Sequence, residues 1–186
     1  MIQATTGRAR WWGVYAAALA WGVAESTLFF VVPDVLITRV ALRSRGHALG
    51  CCAMAVAGAL FGGALVYGWS LRDPVGLHAA LLHVPAVDAN LIDNARIAME
   101  RLGGWALAGG AFGGVPYKLF AAQAAQAGLS LPMLLVLTVP ARGLRFVLLA
   151  LLTHAAAEWL RPRLGERIVV GVWWLAWIVI YALYWS

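Results

Sequence analysis

The chain has 186 residues, of which 63% are hydrophobic and only 12% are charged, whereas a soluble domain averages about 45–50% apolar and about 25% charged residues. This composition, with a mean hydropathy of +0.81, excludes an ordinary soluble domain and predicts one all-α, membrane-embedded unit over residues 1–186. The net charge of +6 does not indicate a nucleic-acid partner, because the basic residues lie in short clusters between apolar runs, as the positive-inside rule describes.

Apolar runs and their interruptions predict the elements of a polytopic membrane protein, since about 20 apolar residues suffice for a helix to cross a bilayer. In chain order the predicted elements are a re-entrant hairpin (about 11–44), a spanning helix (48–70), an amphipathic surface segment (71–101), a second re-entrant hairpin (about 103–128) and two spanning helices (131–160 and 168–186).

The first hairpin is predicted from the distribution of arginines. If residues 11–32 crossed the membrane outright, the arginines of residues 39–45 would lie opposite Arg8 and Arg10. A segment that enters, turns at Pro33 and returns keeps both basic clusters in the cytoplasm. The helix at 48–70 then leads outward to residues 71–101, which carry three arginines and four acids. The N-terminus is therefore predicted to be cytoplasmic.

Three packing features accompany these elements. Gly58 and Gly62 form a small-xxx-small pair that allows another helix to approach closely. In the surface segment, apolar residues recur at helical spacing and predict a helix lying on the membrane; they are Leu91, Ala95, Ala98 and Leu102. In the last span, four tryptophans are interpreted as a lipid-facing aromatic belt; they are Trp173, Trp174, Trp177 and Trp185.

The two predicted hairpins resemble each other. The letters VVPDVLI around Pro33 and GVPYKLF around Pro116 share a Val-Pro pair with an aliphatic residue three positions after the proline, and each precedes a spanning helix at similar spacing. Inverted repeats whose broken helices meet near the membrane midplane are a transporter design. Pro33 and Pro116 are accordingly the predicted hairpin turns.

Four charged residues fall within apolar sequence: Glu25, Asp34, Arg142 and Arg145. A charge at membrane depth costs roughly 2.5–3.5 kcal/mol on insertion scales and is seldom kept without a function. On one continuous helix Glu25 and Asp34 would lie on opposite faces, but a break at Pro33 lets both face one cavity. Arg142 and Arg145 are three residues apart and share a helix face.

Two interpretations of these charges stay open. In the functional one, the two guanidinium groups bind a phosphate, Glu25 and Asp34 couple transport to protons, and Lys118 at the second hairpin adds a cation. In the structural one, the arginines only neutralise the acids, and Asp34 caps the helix after Pro33.

Other chemistries find little support in the sequence. No G-x-S-x-G motif of a serine hydrolase occurs, and we expect no enzymatic activity. Cys51 and Cys52 are adjacent, which suits neither a metal cage nor a disulfide. We therefore expect no metal site and no cofactor, and interpret both cysteines as small packing residues.

The order AESTLFFVVPDVL, GGVPYKLF and PARGLRF resembles the DedA (VTT, SNARE-associated) membrane proteins, and within them the YqaA-like branch. The resemblance covers roughly residues 20–150. It implies two opposed re-entrant hairpins in a bacterial inner-membrane protein. It also implies translocation of lipids, notably undecaprenyl phosphate or phospholipid, linked to the proton-motive force. The family's acidic pair would fall on Glu25 and Asp34.

The sequence therefore predicts a lipid translocator of flippase or scramblase type, whose partners are phosphate-bearing membrane lipids and protons. Two rivals stay open: a proton-coupled exporter of small cations or drugs, and a membrane scaffold that transports nothing. Assembly into a homo-oligomer is also left open.

Overall fold

A computed structural model describes residues 2–184, with side chains except those of residues 2–10, 111–112 and 184. Every regular element in this part of the chain is helical, as predicted. The α-helices are α1 (Ile2–Ser26), α2 (Asp34–Ala41), α3 (Arg45–Arg72), α4 (Pro74–Leu82), α5 (Ala89–Leu102), α6 (Ala106–Gly113), α7 (Tyr117–Ala124), α8 (Leu131–Leu164) and α9 (Glu166–Tyr184), with a 3-10 turn at Gly103–Trp105 between α5 and α6.

Three helices are long and apolar enough to cross a membrane: α3, α8 and α9. They match the positions of the spans predicted at 48–70, 131–160 and 168–186; α3 and α9 begin three and two residues earlier than predicted, and α8 begins at the predicted residue. Ser44 caps the start of α3, since its hydroxyl accepts from the backbone N–H of His47 at 3.4 Å. Asp73 ends α3 and at once caps α4, accepting from the N–H of Gly76 at 2.8 Å.

The core of the molecule begins with the close packing of α1 on α3. A Cβ atom added at Gly58 would collide with the backbone carbonyl of Leu19, and one added at Gly22 with that of Ala55. Glycine is therefore required at the crossing, as the Gly58 and Gly62 pair predicts. Cys51 and Cys52 are both buried on α3 beside this contact, consistent with their predicted packing role.

The break in the first predicted hairpin begins six residues before its proline and ends at it. α1 ends at Ser26, residues 27–33 are non-helical, and Pro33 immediately precedes the first residue of α2. A similar arrangement recurs at Pro116, which immediately precedes α7. Both short helices have eight residues, and α7 is buried along almost its whole length. Two short helices, each begun by a proline, thus lie inside the molecule.

The segment 71–101, in which an amphipathic helix was predicted from Leu91, contains two helices, α4 and α5. Ala95 of α5 is buried as expected, but Ile92 and Met99 complete the buried face while Leu102 is 57% exposed. The buried face of α5 is therefore rotated from the predicted one. The reason is that Ile92 and Met99 are larger than Ala98 and remove more apolar surface from contact with solvent. They pack against a core cluster that includes residues of α7 and α8.

Candidate functional site: a charged cluster and its cavity

Glu25 and Arg142 form a buried ion pair between α1 and α8. Each residue is only 3% exposed, and Nη2 of Arg142 donates to the Glu25 carboxylate. Glu25 is the penultimate residue of α1, so the helix delivers it to the break. The Arg142 guanidinium also lies over the ring of Phe146 at 4.9 Å and that of Tyr117 at 5.6 Å. Aromatic faces stabilise a cation in such positions.

Asp34 and Arg145 form a second pair, between α2 and α8. Asp34 is fully buried as the first residue of α2, while the Arg145 side chain is 27% exposed. Its Nη2 donates to Oδ2 of Asp34. The two arginines therefore share one face of α8, as their spacing predicts. Arg142 pairs with the acid before the break at residues 27–33, and Arg145 pairs with the acid after it.

Lys118 joins the same cluster from α7. It is 2% exposed, and its Nζ donates to the backbone carbonyl of Phe29 at 2.5 Å. Phe29 lies in the non-helical break after α1, so this hydrogen bond links that break to the residues after Pro116. We call Glu25, Asp34, Lys118, Arg142 and Arg145 the charged cluster. It holds three cations and two acids.

Two fully buried polar atoms in the charged cluster have no hydrogen-bond partner among the described residues. They are Oδ1 of Asp34 and Nε of Arg142. An unpaired buried polar atom costs about 1–3 kcal/mol and calls for an explanation, such as a ligand, a water molecule or a proton. The pairing of acids with arginines thus leaves an acceptor on Asp34 and a donor on Arg142 for another partner.

The charged cluster opens into a cavity of about 670 Å³. Four members of the cluster line it, namely Glu25, Lys118, Arg142 and Arg145, whereas Asp34 is not part of its wall. The rest of the lining is mainly apolar and comes from the break after α1, from α2, α8 and α9, from the turn at Pro116 and from the connection between α4 and α5. A mostly apolar cavity with a few converging polar groups is the usual form of a ligand site.

Thr38 is a part of this site that the sequence did not reveal. Its hydroxyl is buried and donates to the backbone carbonyl of Asp34 at 2.7 Å. The same oxygen accepts from the indole N–H groups of Trp173 at 2.9 Å and Trp177 at 3.1 Å. One hydroxyl therefore fastens α9 to α2. The four-residue spacing of Trp173 and Trp177 places both on one face of α9, but nothing in the sequence indicates that this face is the inner one.

This contact corrects the interpretation of the tryptophans as a lipid-facing belt. Trp174 is 56% exposed, as that interpretation requires. Trp173 is only 7% exposed, and both it and Trp177 face the cavity. The N–H of an indole needs an acceptor when it is buried, and Thr38 supplies it. Trp185 lies outside the described residues.

Side chains of α8 hold the C-terminal end of α2. Nδ1 of His154 lies 2.9 Å from the carbonyl of Ala41, and Nη2 of Arg161 donates to that of Leu42. Arg161 also pairs with Glu158 at 2.7 Å. These contacts occupy the last carbonyls of α2, which lack partners within the helix, and so fix the position from which Asp34 reaches Arg145.

The cluster suits the binding of an anion better than that of a metal ion. Across residues 2–184, no three His, Cys, Asp or Glu side chains converge on a point that a metal ion would occupy. The guanidinium forks instead match the oxygens of a phosphate or carboxylate.

Comparison with protein-family models, with curated proteins and with solved structures finds no match for this chain. The geometry of the charged cluster and its cavity is therefore the observation that bears on function.

Proposed function

We propose that this protein translocates a phosphate-bearing lipid across the membrane. The observation that carries the proposal is the opening of a buried cluster of three cations and two acids into a mainly apolar cavity. A soluble solute needs a polar path, whereas a lipid needs a charged place for its headgroup beside an apolar place for its tail. The cavity offers both.

The unpartnered atoms support a route for the headgroup. Nε of Arg142 is a free donor, and a phosphate oxygen is the acceptor that matches it. Arg145 is partly exposed toward the same cavity, and Lys118 supplies a third cation. The phosphate group would bind these cations, in partial exchange for the carboxylates that hold them between transport cycles.

Glu25 and Asp34 are the proposed proton acceptors. A proton on either acid removes the negative charge that holds its arginine, so the arginine becomes available to the phosphate. Loss of the proton restores the ion pair and releases the lipid. The unpartnered Oδ1 of Asp34 supplies a position for such a proton. Transport coupled to the proton-motive force follows from this exchange.

The proposed architecture has two re-entrant hairpins that enter from opposite sides. It is supported by the prolines that begin α2 and α7 and by the hydrogen bond from Lys118 to Phe29, which joins the two breaks. Non-helical backbone at membrane depth is tolerated where protein surrounds it. With the resemblance to DedA proteins, this architecture favours a bacterial inner-membrane protein with a cytoplasmic N-terminus.

One observation favours a purely structural role. Each acid in the cluster already has its own arginine, as expected of a scaffold whose charges only hold helices together. The scaffold and the translocator differ in what they require of the charges. A scaffold tolerates replacement of a whole ion pair by neutral groups, whereas a translocator does not.

The test is transport of labelled phospholipid and of labelled polyprenyl phosphate in liposomes. The informative protein carries Glu25→Gln together with Arg142→Gln, because the double change leaves no unpaired buried charge. We expect the folded double variant to lose transport of the lipid that the parent protein moves. The matched control replaces an exposed ion pair on α5, Arg96→Gln with Glu100→Gln, and should transport normally.

Normal transport by the neutral double variant would refute the proposed role of the charged cluster. Transport of hydrophilic cations but of neither lipid would favour the rival exporter. If the parent protein moves no substrate under a proton gradient, and the neutral variant differs from it only in stability, the result would favour the membrane scaffold that transports nothing.

A further inference from the structure

Part of the wall of this cavity is formed by apolar side chains of α8 and α9, and we call this part the apolar arm. Five side chains from two helices define this arm: Leu148, Leu149 and Leu152 of α8, with Ala176 and Ile180 of α9. None of them offers a hydrogen bond to a headgroup. Their chemistry matches a hydrocarbon chain, and the arm is continuous with the cations that would hold a phosphate.

The apolar arm is accessible from the side of the molecule. The cavity is partly open and not enclosed, and two of its apolar lining residues are well exposed, Ile180 at 51% and Leu152 at 67%. The rest of the protein covers α9 only sparsely, since only 11% of its membrane-spanning window is buried. A chain in the surrounding bilayer can therefore reach the arm between α8 and α9 without crossing a polar surface.

Hydrogen bonds hold α9 where the apolar arm meets the charged cluster. Trp173 and Trp177 donate to Thr38, and one turn further on the hydroxyl of Tyr181 accepts from the backbone N–H of Val32 at 3.2 Å. These three aromatic residues follow one face of α9 at four-residue spacing. The cavity therefore has a fixed inner end and a loosely covered outer end.

The volume limits what the cavity can hold. A cavity of about 150 Å³ accommodates benzene, which corresponds to roughly 25 Å³ per carbon atom. A cavity of about 670 Å³ then holds roughly 25 heavy atoms on the same scale. This is enough for a phosphate group with one chain of ordinary length and too little for two chains.

We infer that the apolar arm is a binding site for one hydrocarbon chain of the lipid whose phosphate the charged cluster holds. The inference rests on the proposed function and specifies its substrate: a lipid with one chain inside the protein between α8 and α9 and any second chain left in the bilayer. Acyl and prenyl chains share this chemistry.

The test is photoaffinity labelling in liposomes with a matched pair of lipids. One is a phosphatidic acid with a diazirine midway along one acyl chain, and the other is a diacylglycerol with the same labelled chain. Both probes, when they lie in the surrounding bilayer, label the outer face of α9 equally, and this labelling is the background. The apolar arm should be labelled at residues 148–152 about tenfold more by phosphatidic acid, the ratio expected of charge-assisted hydrogen bonds.

Two variants fill the arm from opposite walls, Ala176→Phe from α9 and Leu149→Phe from α8. Each should reduce the phosphatidic-acid labelling of residues 148–152 to the level given by diacylglycerol. The control is Ala182→Phe, which adds the same ring to an exposed position of α9 outside the cavity lining. It should leave the labelling unchanged.

Equal labelling of the arm by both lipids, or labelling that neither filled variant reduces, would overturn the inference. A prenyl phosphate with a diazirine, tested in the same way, distinguishes the two sources of the chain. The two hypotheses fail in different ways. Selective labelling without any lipid transport would refute the translocator and support the chain-binding site. Lipid transport without selective labelling would support the translocator and refute the chain-binding site.

Discussion

The hydroxyl oxygen of Thr38 joins α9 to α2 through hydrogen bonds to both helices. It accepts from two indoles of α9 and donates to the carbonyl of Asp34. Each buried donor left without an acceptor costs about 1–3 kcal/mol. We therefore expect Thr38→Val, which keeps the shape and removes the hydroxyl, to lower the free energy of unfolding by about 2 kcal/mol or more.

Unfolding by SDS in mixed micelles measures this cost, and Thr38→Ser should restore most of the lost stability because it restores the acceptor. Indole N–H signals in an NMR spectrum supply the specific readout. The signals of Trp173 and Trp177 should shift in Thr38→Val, while that of the exposed Trp174 should stay in place. Unchanged signals at both positions would mean that the hydrogen bonds do not form.

The ion pair of Glu25 with Arg142 supports a second prediction about single residues. Removing one partner of a buried pair leaves an uncompensated charge and costs about 3–5 kcal/mol, whereas removing both costs less. We expect Glu25→Gln alone to be more destabilising than Glu25→Gln combined with Arg142→Gln. Thermal unfolding in detergent measures both. Destabilisation of the double variant by the sum of the costs of Glu25→Gln and Arg142→Gln, each measured alone, would show that the two side chains do not depend on each other.

At the scale of elements, the crossing of α1 and α3 depends on glycine. A methyl group at Gly58 would collide with the carbonyl of Leu19, whereas at Gly68 on the same helix it would meet nothing within 4 Å. Because overpacking costs about 1–3 kcal/mol, Gly58→Ala should be destabilising by that amount. Gly68→Ala should be neutral or slightly stabilising, since alanine favours a helix over glycine.

The same crossing illustrates what could be predicted from the sequence. Gly58 and Gly62 predicted a close helix neighbour, and the three spans followed from length and hydropathy. The identity of the neighbour did not follow, because many helices can approach a glycine pair. Nor did the pairing of Glu25 with Arg142 follow, since it depends on α1 ending at Ser26, before the proline that marked the break.

The attachment of α9 to α2 could not be predicted from the sequence either. Thr38 and the tryptophans are more than 130 residues apart, and no local pattern indicates which tryptophan of an apolar helix faces inward. Composition alone favours lipid for all of them. The buried side of α5 was likewise only half predicted, because tertiary packing selected Ile92 and Met99 over smaller residues at neighbouring positions.

At the scale of the whole molecule, contacts group the loops into two ends. Arg43 pairs with Glu166 at 3.5 Å, and Arg161 reaches the carbonyl of Leu42, so the connections before α3 and after α8 lie together. α3 has 28 residues and is therefore about 42 Å long. Its far end leads into α4, where Val75 is 79% exposed. These two ends should face opposite sides of the membrane.

Labelling with a membrane-impermeant maleimide tests this arrangement in a protein whose native thiols are removed by Cys51→Ala and Cys52→Ala. Val75→Cys should react in intact cells, whereas Gly46→Cys and Leu164→Cys should react only after permeabilisation, because the basic clusters keep their ends in the cytoplasm. A tag at the N-terminus should share the side of Gly46, since a re-entrant segment returns to the face it entered. A tag on the side of Val75 would instead mean that the first apolar segment crosses the bilayer. The two breaks would then no longer enter from opposite sides, and the inverted arrangement around Pro33 and Pro116 would be wrong.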